Sequence, residues 1–150
     1  MPYHLNRSLF IPRPRKEVFA FFADAENLER ITPAFLHFHI LTQRPIPMHA
    51  ETLIDYQLRL FGIPFHWRTR IETFDPISSF TDVQLTGPYR RWHHRHSFTD
   101  VPGGTRMDDH VEYELPFGPL GEIARALFVR RAVDRIFDHR NATITRIFSK

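Results

Sequence analysis

The sequence predicts an α+β fold in which a curved antiparallel sheet of about seven strands surrounds one long C-terminal helix. Before Pro116, apolar and polar side chains alternate over several segments, as they do in strands with one solvated face. Two short segments after the first strand have helical spacing instead, and an apolar stripe with the period of an α-helix begins at Leu120. Strands that are grouped along the chain, with the helices kept apart from them, are typical of α+β proteins.

The N-terminal part of the chain predicts one strand followed by two short helices. Residues Tyr3 to Ile11 alternate and are followed by Pro12, which predicts the first strand. Apolar residues at helical spacing over residues 18–22 predict the first helix. Residues Ala25 to Ile31 predict the second helix, which Thr32-Pro33 would end because a residue before proline avoids the helical conformation.

Six further segments alternate with a period of two and predict the rest of the sheet. Turns rich in glycine and proline separate them, among them Gly62-Ile63-Pro64 and the hairpin turn Pro102-Gly103-Gly104. The predicted strands are Phe35–Leu41, Thr52–Phe61, Phe65–Glu72, Phe80–Thr86, Trp92–Val101 and Thr105–Leu115.

The last part of the chain predicts a helix from Leu120 to Phe148, with Pro119 in its first turn. At 1.5 Å per residue such a helix would be roughly 43 Å long. Its arginines at 125, 130, 131, 135 and 140 are expected on the solvent side. The residues that form its apolar stripe are Leu120, Ile123, Ala124, Leu127, Phe128, Ile136, Phe137, Ile144 and Ile147.

Length and composition predict a single domain over residues 1–150 with a substantial core. The chain is 42% hydrophobic and has 15 phenylalanines, and a domain of this size buries roughly 70% of the surface that its unfolded chain exposes. It has no cysteine, which excludes disulfides and thiolate chemistry. No apolar run approaches the ~20 residues of a membrane span. We therefore expect a cytoplasmic protein.

The formal charge of +3 and the pI near 9.7 raise the question of nucleic-acid binding. The arginines are dispersed and alternate with acidic residues, as in residues 68–72, and no basic run of five or more exists. We therefore expect no DNA partner. The stretch Arg90-Arg91-Trp92-His93 could stack single-stranded bases, but an ordinary strand surface explains it as well.

The last strands place several polar side chains on the face that Trp92 and Phe98 mark as the inner one. His94 and His96 lie on that face of one strand, and Asp109 has inward parity on the next strand. The strand before them is ambiguous because both of its faces hold apolar residues. If Phe80 points inward, Asp82 and Gln84 do so as well.

Three interpretations of His94, His96, Asp82 and Asp109 stay open. The first is a hydrogen-bond network that joins strands, because a buried carboxylate must be paired or hydrated. The second is recognition of a ligand, and the third is acid–base catalysis by the same groups. The His-x-His spacing also suits zinc with Asp109 as a third ligand, but the helix offers no inward His or Glu. We predict no metal and no cofactor.

A set of short motifs is spread over the second half of the chain: Phe80-x-Asp82-x-Gln84, Gly87-Pro88-Tyr89, His94-x-His96-x-Phe98, Gly104-Thr105, Asp109-x-Val111-x-Tyr113 and Phe117-Gly118-x-Leu120-Gly121. With these motifs and its order of elements, the chain resembles, essentially end to end, the ligand-binding SRPBCC proteins of the START/Bet v 1-like superfamily, which include polyketide cyclase/dehydrase-like proteins. The resemblance implies the helix-grip fold and an apolar pocket, but no single reaction, since fold carries function loosely.

The function we expect is binding of a small apolar molecule, lipid-like or polycyclic, between the sheet and the C-terminal helix. One alternative is a cyclase- or dehydratase-type enzyme acting on an apolar carbonyl compound, and another is a module that binds a protein or RNA partner. No oligomeric state follows from the pattern. The residues predicted to contact the ligand are Ile54, Tyr56, Leu58, Trp67, Gln84, Trp92, Phe98, Met107, Val111, Tyr113 and Leu127.

Overall fold

A computed structural model describes residues 2–149 and contains one seven-stranded sheet in the order β1-β7-β6-β5-β4-β3-β2. Every neighbouring pair is antiparallel. This architecture confirms the predicted α+β helix-grip fold. The strands are β1 (Tyr3–Ile11), β2 (His39–Ile40), β3 (Leu53–Leu60), β4 (Ile63–Asp75), β5 (Ser79–Thr86), β6 (Arg91–Val101) and β7 (Gly104–Glu114). The helices are α1 (Arg15–Phe22), α2 (Asn27–Ile31), α3 (Gly118–Ala124) and α4 (Arg130–Phe148).

The predicted alternation is clearest in β6 and β7, which form a long hairpin. Their register runs from Val101↔Gly104 to Arg91↔Glu114 without a shift. In β7 every second residue from Thr105 to Tyr113 is buried, and the residues between are less so. The inner face assigned from the sequence is therefore the buried face of these two strands.

The segment 35–41 does not form the strand that was predicted there. Ala34–Leu36 is a single 3₁₀ turn, His37 has a left-handed backbone with φ 49°, and only His39–Ile40 pairs with β3. The alternation of apolar residues here has another cause. Leu36 is buried from the turn, and the Phe38 ring packs against Tyr56 with centroids 4.6 Å apart.

The β3–β4 turn is shorter than predicted, because Ile63 and Pro64 already belong to β4. The two turn residues are Phe61 and Gly62, with φ of 52° and 78°, as a two-residue hairpin turn with positive φ at both positions requires. Pro64 pairs with Arg59 of β3, whereas pairing of β4 with β5 starts only at Arg68. A proline, which has no N–H to donate, is tolerated there because the side of β4 that faces away from β3 has no partner strand at this position.

The predicted C-terminal helix is continuous in its path but has three parts. A π-helical segment, Arg125–Val129, separates α3 from α4. The stripe is buried only in α4, which packs closely on β1 and α2. In α3 and the π-helical segment, the stripe residues Leu120, Ile123, Leu127 and Phe128 are exposed, so the stripe does not cover the sheet along its whole length.

Arg140 corrects a second expectation about the helix. It was assigned to the solvent side together with the other arginines, but its side chain is 7% exposed and points at the sheet. The reason is that a buried carboxylate, Asp109, lies opposite it on β7. A buried charge is stable only when it is paired.

The core is divided among three groups of buried side chains. One joins α1 to β6, β7 and the end of α4, around Phe19, Phe98 and Ile144. Another joins β7 to α4 through Val111 and Phe137, and the third lies on β3 and β4. A cavity lies between these groups. Over residues 2–149, no helix combines the length and the apolar character needed to cross a membrane.

Candidate functional site

A cavity of about 170 Å³ lies between the sheet, α1, α2 and α4. The sheet side is aromatic: the Tyr56 and Trp67 rings stack with centroids 5.8 Å apart, and Trp92 meets Trp67 edge-on at 5.5 Å. Phe22 and Leu28 line the helical side together with Phe137 of α4. Rings held in such contacts give the cavity a rigid apolar wall.

Five of the predicted ligand-contacting residues line this cavity. All five belong to the inner faces of β3, β4 and β6: Ile54, Tyr56, Leu58, Trp67 and Trp92. Their placement follows directly from the alternation in the sequence.

Six predicted residues lie outside the lining. Phe98 and Met107 are inward but are covered by α1, whose Phe19 ring is 5.3 Å from that of Phe98. Val111 and Tyr113 are covered by α4 in the same way. The remaining two are placed differently: Gln84, described next, and Leu127, which is exposed on the π-helical segment.

Gln84 closes the turn between β5 and β6. Its Nε2 donates to the Tyr89 carbonyl at 2.6 Å, and the Tyr89 N–H donates to its Oε1 at 3.1 Å. Both ends of the amide are thereby satisfied, so the side chain is used locally. This turn positions the Tyr89 ring, which packs on Trp67 and Trp92 at the cavity wall.

The cavity-lining residues of the helices and of the segment between α2 and β3 were not predicted from the sequence. Phe21 and Phe22 of α1 were used only to predict the first helix, although their helical spacing next to an inner sheet face also suits a cavity wall. Arg140 was missed because no local pattern distinguishes one arginine of α4 from the others. The missed lining residues include Phe21, Phe22, Ala25, Leu28, Ile31, Leu36, Phe38, Met48, Ile136, Phe137 and Arg140.

Four of the predicted polar residues converge at the sheet side of the cavity. The register places Asp82 of β5 opposite His94 of β6, and His96 opposite Asp109 of β7. Arg140 enters from α4. We call these five residues the polar cluster. Asp82 and the two histidines line the cavity together with Arg140, whereas Asp109 lies behind them with 0% side-chain exposure.

Asp109 is the buried centre of the polar cluster. Its Oδ1 lies 2.7 Å from His94 Nε2, 3.3 Å from Arg140 Nη2 and 3.4 Å from His96 Nδ1. Burial alone would raise the pKa of Asp109, but the Arg140 charge and the hydrogen bonds from the imidazoles hold it well below the usual value of 3.8. Asp109 is therefore a carboxylate at neutral pH.

Asp82 faces the cavity from the other side of the two imidazoles. Its Oδ2 lies 2.7 Å from His96 Nε2 and 3.7 Å from His94 Nδ1. Burial opposes its charge, but the interactions with His94, His96 and Arg140 lower its pKa overall. The polar cluster thus holds two carboxylates and one guanidinium, which leaves one negative charge for an imidazolium to balance.

The pKa values of the two histidines shift in opposite directions. Burial and the neighbouring His96 lower the pKa of His94 to about 4. Burial also opposes the charge on His96, but its hydrogen bonds to Asp109 and Asp82 outweigh burial and raise its pKa. His96 is therefore the group that carries the balancing proton, whereas His94 is neutral.

A metal ion is one further use to consider for Asp82, His94 and His96, whose candidate ligand atoms all lie within 4.8 Å of one another. The imidazole rings stack with planes only 30° apart, so their in-plane lone pairs lie in nearly parallel planes and do not converge on one point. Tetrahedral coordination requires lone pairs that converge. The absence of a metal and of a cofactor stays a prediction.

Comparison with known proteins gives the relationships of the chain. The profile of the family described as polyketide cyclase/dehydrase and lipid transport matches residues 11–139. No curated protein matches the chain in sequence.

Similar folds occur among solved structures. A protein from Thermus thermophilus superposes with a TM-score of 0.76 at 18% identity, covering 96% of this chain and 95% of that chain. The Zhui aromatase/cyclase from a Streptomyces species gives 0.79 at 13% identity, with coverages of 99% and 94%. Ara h 8.0201 gives 0.60 at 12% identity, with coverages of 96% and 98%. At these identities the likeness concerns the fold alone. The profile match, which spans most of the sequence, shows that the chain belongs to the polyketide cyclase/dehydrase and lipid transport family, within the Bet v 1-like (SRPBCC) superfamily.

Proposed function

We propose that this protein binds a small, mainly apolar molecule in the cavity between the sheet and α4. The observation that carries the proposal is the wall itself, in which Tyr56, Trp67 and Trp92 form an aromatic surface facing apolar side chains of α1, α2 and α4. Apolar lining with a few convergent polar groups is the usual composition of a small-molecule site. The family description, which includes lipid transport, supports the same function.

The size of the cavity supports a compact ligand. A cavity of about 150 Å³ with apolar walls stays dry and accepts benzene, and the cavity here measures about 170 Å³. A ligand of one or two rings would fit with little movement of the walls. A larger polycyclic or lipid-like molecule would require the helical side, formed by α1 and α2, to move outward.

The polar cluster favours one second candidate, proton transfer to or from a bound carbonyl compound. Asp82 and His96 line the cavity and are 2.7 Å apart, and hydrogen bonds to Asp109 and Asp82 raise the pKa of His96 despite its burial, which favours its proton-donating form. A general acid must lie within hydrogen-bond reach of its substrate. This arrangement and the cyclase/dehydrase part of the family description support a cyclase- or dehydratase-type activity as the alternative.

The third interpretation, a macromolecular partner, has less support. The basic stretch at residues 90–93 was its best sequence feature, but Trp92 lines the cavity and packs on Trp67 and Tyr113. A side chain used in this way is not available to stack on a nucleic-acid base.

The binding function can be tested with naphthalene, a neutral two-ring probe without hydrogen-bonding groups. We expect it to bind with a measurable heat in calorimetry and to change the fluorescence of Trp67 and Trp92. Native mass spectrometry of freshly purified protein would show whether an apolar compound is retained. A folded protein that binds neither naphthalene nor any retained apolar compound would contradict the proposal. Turnover of an apolar carbonyl substrate would favour the enzymatic alternative.

A further inference from the structure

One group of the polar cluster is more accessible from the cavity than the others. The side chain of Asp82 is 17% exposed, compared with 6% for His94 and His96, 7% for Arg140 and 0% for Asp109. A ligand that reaches this end of the cavity would therefore meet the Asp82 carboxylate first.

Asp82 has one oxygen free for a ligand. Its Oδ2 accepts from His96 Nε2 at 2.7 Å, whereas Oδ1 has no hydrogen bond to any of residues 2–149. Oδ1 is also not fully enclosed by the protein. It is thus an acceptor on the cavity side, at the end of an otherwise apolar wall.

His94 adds a second acceptor. Its Nε2 lies 2.7 Å from the Asp109 carboxylate, so Nε2 carries the proton of the neutral ring. Nδ1 is then an unprotonated nitrogen, 3.7 Å from Asp82 Oδ2 and beyond hydrogen-bond distance.

The Nη2 and Nε donors of Arg140 are engaged or fully enclosed. Its Nη2 donates to Asp109 Oδ1 at 3.3 Å, its Nε has no partner but is fully enclosed, and its guanidinium lies over the rings of Phe22 and Phe137 at 5.4 and 5.7 Å. The hydroxyls of Tyr56 and Thr69 bond to each other at 3.0 Å. The most accessible charged group at this end of the cavity is therefore the Asp82 carboxylate.

We propose that the cavity selects ligands whose apolar body ends in a hydrogen-bond donor, an alcohol or a phenol, and rejects those that end in a carboxylate. This inference rests on the proposed binding function. A hydroxyl can donate to Asp82 Oδ1, and a hydrogen bond to a charged group strengthens binding by about tenfold to a hundredfold. Arg140 and His96 already balance the charges of Asp82 and Asp109, so a ligand carboxylate would add an unbalanced anion beside Asp82 in surroundings of low dielectric.

Three probes of equal size and different ends test the inference: naphthalene, naphthol and naphthoate. At neutral pH we expect calorimetry to give naphthol an affinity at least about tenfold above those of naphthalene and naphthoate. In the variant Asp82→Asn, the preference of naphthol over naphthoate should fall to within a few-fold, because the amide has no charge and can donate to a carboxylate. Asp108→Asn, on the outer face of β7, is the matched control and should keep the preference of the unmodified protein.

The outcomes separate the two proposals. If naphthalene and naphthol both fail to bind, the binding function and this inference are overturned together. If naphthalene binds but naphthoate binds as tightly as naphthol, the inference is overturned and the binding function stands. The comparison on the unmodified protein decides this even if Asp82→Asn does not fold. Equal preferences in a folded Asp82→Asn variant and in the unmodified protein would overturn the role of Asp82.

Discussion

The imidazole rings of His94 and His96 stack with their centroids 3.7 Å apart and their planes at 30°. Each ring lies between the carboxylates of Asp82 and Asp109, which approach from the strands on either side of β6. Two stacked imidazoles repel each other when both are charged. The protein resolves this repulsion by keeping His94 neutral and letting His96 hold the proton.

We expect NMR titration to separate these two histidines. Burial and the neighbouring His96 hold the pKa of His94 at about 4, so its ring signals should not change between pH 8 and pH 6. The signals of His96 should move at a pH above 6.5, because hydrogen bonds to two carboxylates raise its pKa despite burial. Two histidines that both titrate near 6.5 would contradict the buried polar cluster.

The stability of the protein should decrease as the pH falls from 6.5 to about 4. In this window the unfolded chain binds a proton at position 94 and the folded protein does not, so acid favours unfolding. The loss should be on the order of 3 kcal/mol at the acid end. His96 acts in the opposite direction, since its raised pKa stabilises the protein fully below 6.5 and less above its folded pKa. Urea unfolding at several pH values measures this dependence, and a constant or rising stability toward pH 4 would contradict it.

Replacing Asp109 by Asn should destabilise the protein by about 3–5 kcal/mol, because Arg140 would keep a buried charge without its carboxylate. The pKa of His96 should also fall, since one of the two carboxylates that raise it is removed. Thermal and urea unfolding give the first quantity and NMR gives the second. The control is Asp108→Asn, whose partner Arg106 is on the surface, and it should change stability by less than about 1 kcal/mol. Equal effects of the two substitutions would argue against the pairing of Asp109 with Arg140.

Replacing Arg140 by Met should cost about as much as Asp109→Asn, because it leaves Asp109 as a buried anion. Combining Arg140→Met with Asp109→Leu should recover a large part of this loss, since two apolar side chains of similar volume remove both charges. A double-mutant cycle in urea measures the coupling. Arg131→Met, on the exposed side of α4, is the control. A double variant whose losses simply add would show that the two residues do not act as a pair.

Enlarging Leu58 to Trp should fill part of the cavity and weaken naphthalene binding by at least about tenfold. Leu58 is buried and lines the cavity, and the added volume should also cost about 1–3 kcal/mol of stability. Leu53→Trp makes the same substitution in the same strand but on the opposite, exposed face, so its affinity should equal that of the unmodified protein. Calorimetry on folded samples compares them. Unchanged affinity in a folded Leu58→Trp variant would place the ligand elsewhere.

Much of the fold follows from side-chain periodicity. The inner faces of β3, β4, β6 and β7 were predicted residue by residue, because a period of two assigns each residue to one face wherever one face is polar. For the same reason the sequence predicted that His94, His96 and Asp109 share an inner face. The prediction was wrong where apolar residues alternate without forming a strand, as at Leu36 and Phe38.

Two questions that the sequence left open were decided by packing between distant elements. The first is β5, where both faces contain apolar residues. Pairing with β6 turns Phe80 inward, where its ring stacks on that of His96 at 4.1 Å, and Asp82 follows onto the same face. The second is the extent of the cavity, because α1 and α4 cover Phe98 and Val111 although both residues have inward parity.

The sequence by itself determined the α+β class, the positions of most strands along the chain and the apolar character of the inner sheet face. The tertiary structure decided which polar groups meet there. Arg140 shows the physical reason. Side-chain periodicity depends only on which neighbouring positions along the chain are apolar. By that measure Arg140 resembles the exposed arginines of α4. Its burial depends on the carboxylate of Asp109, which only the packing of α4 against β7 brings to 3.3 Å.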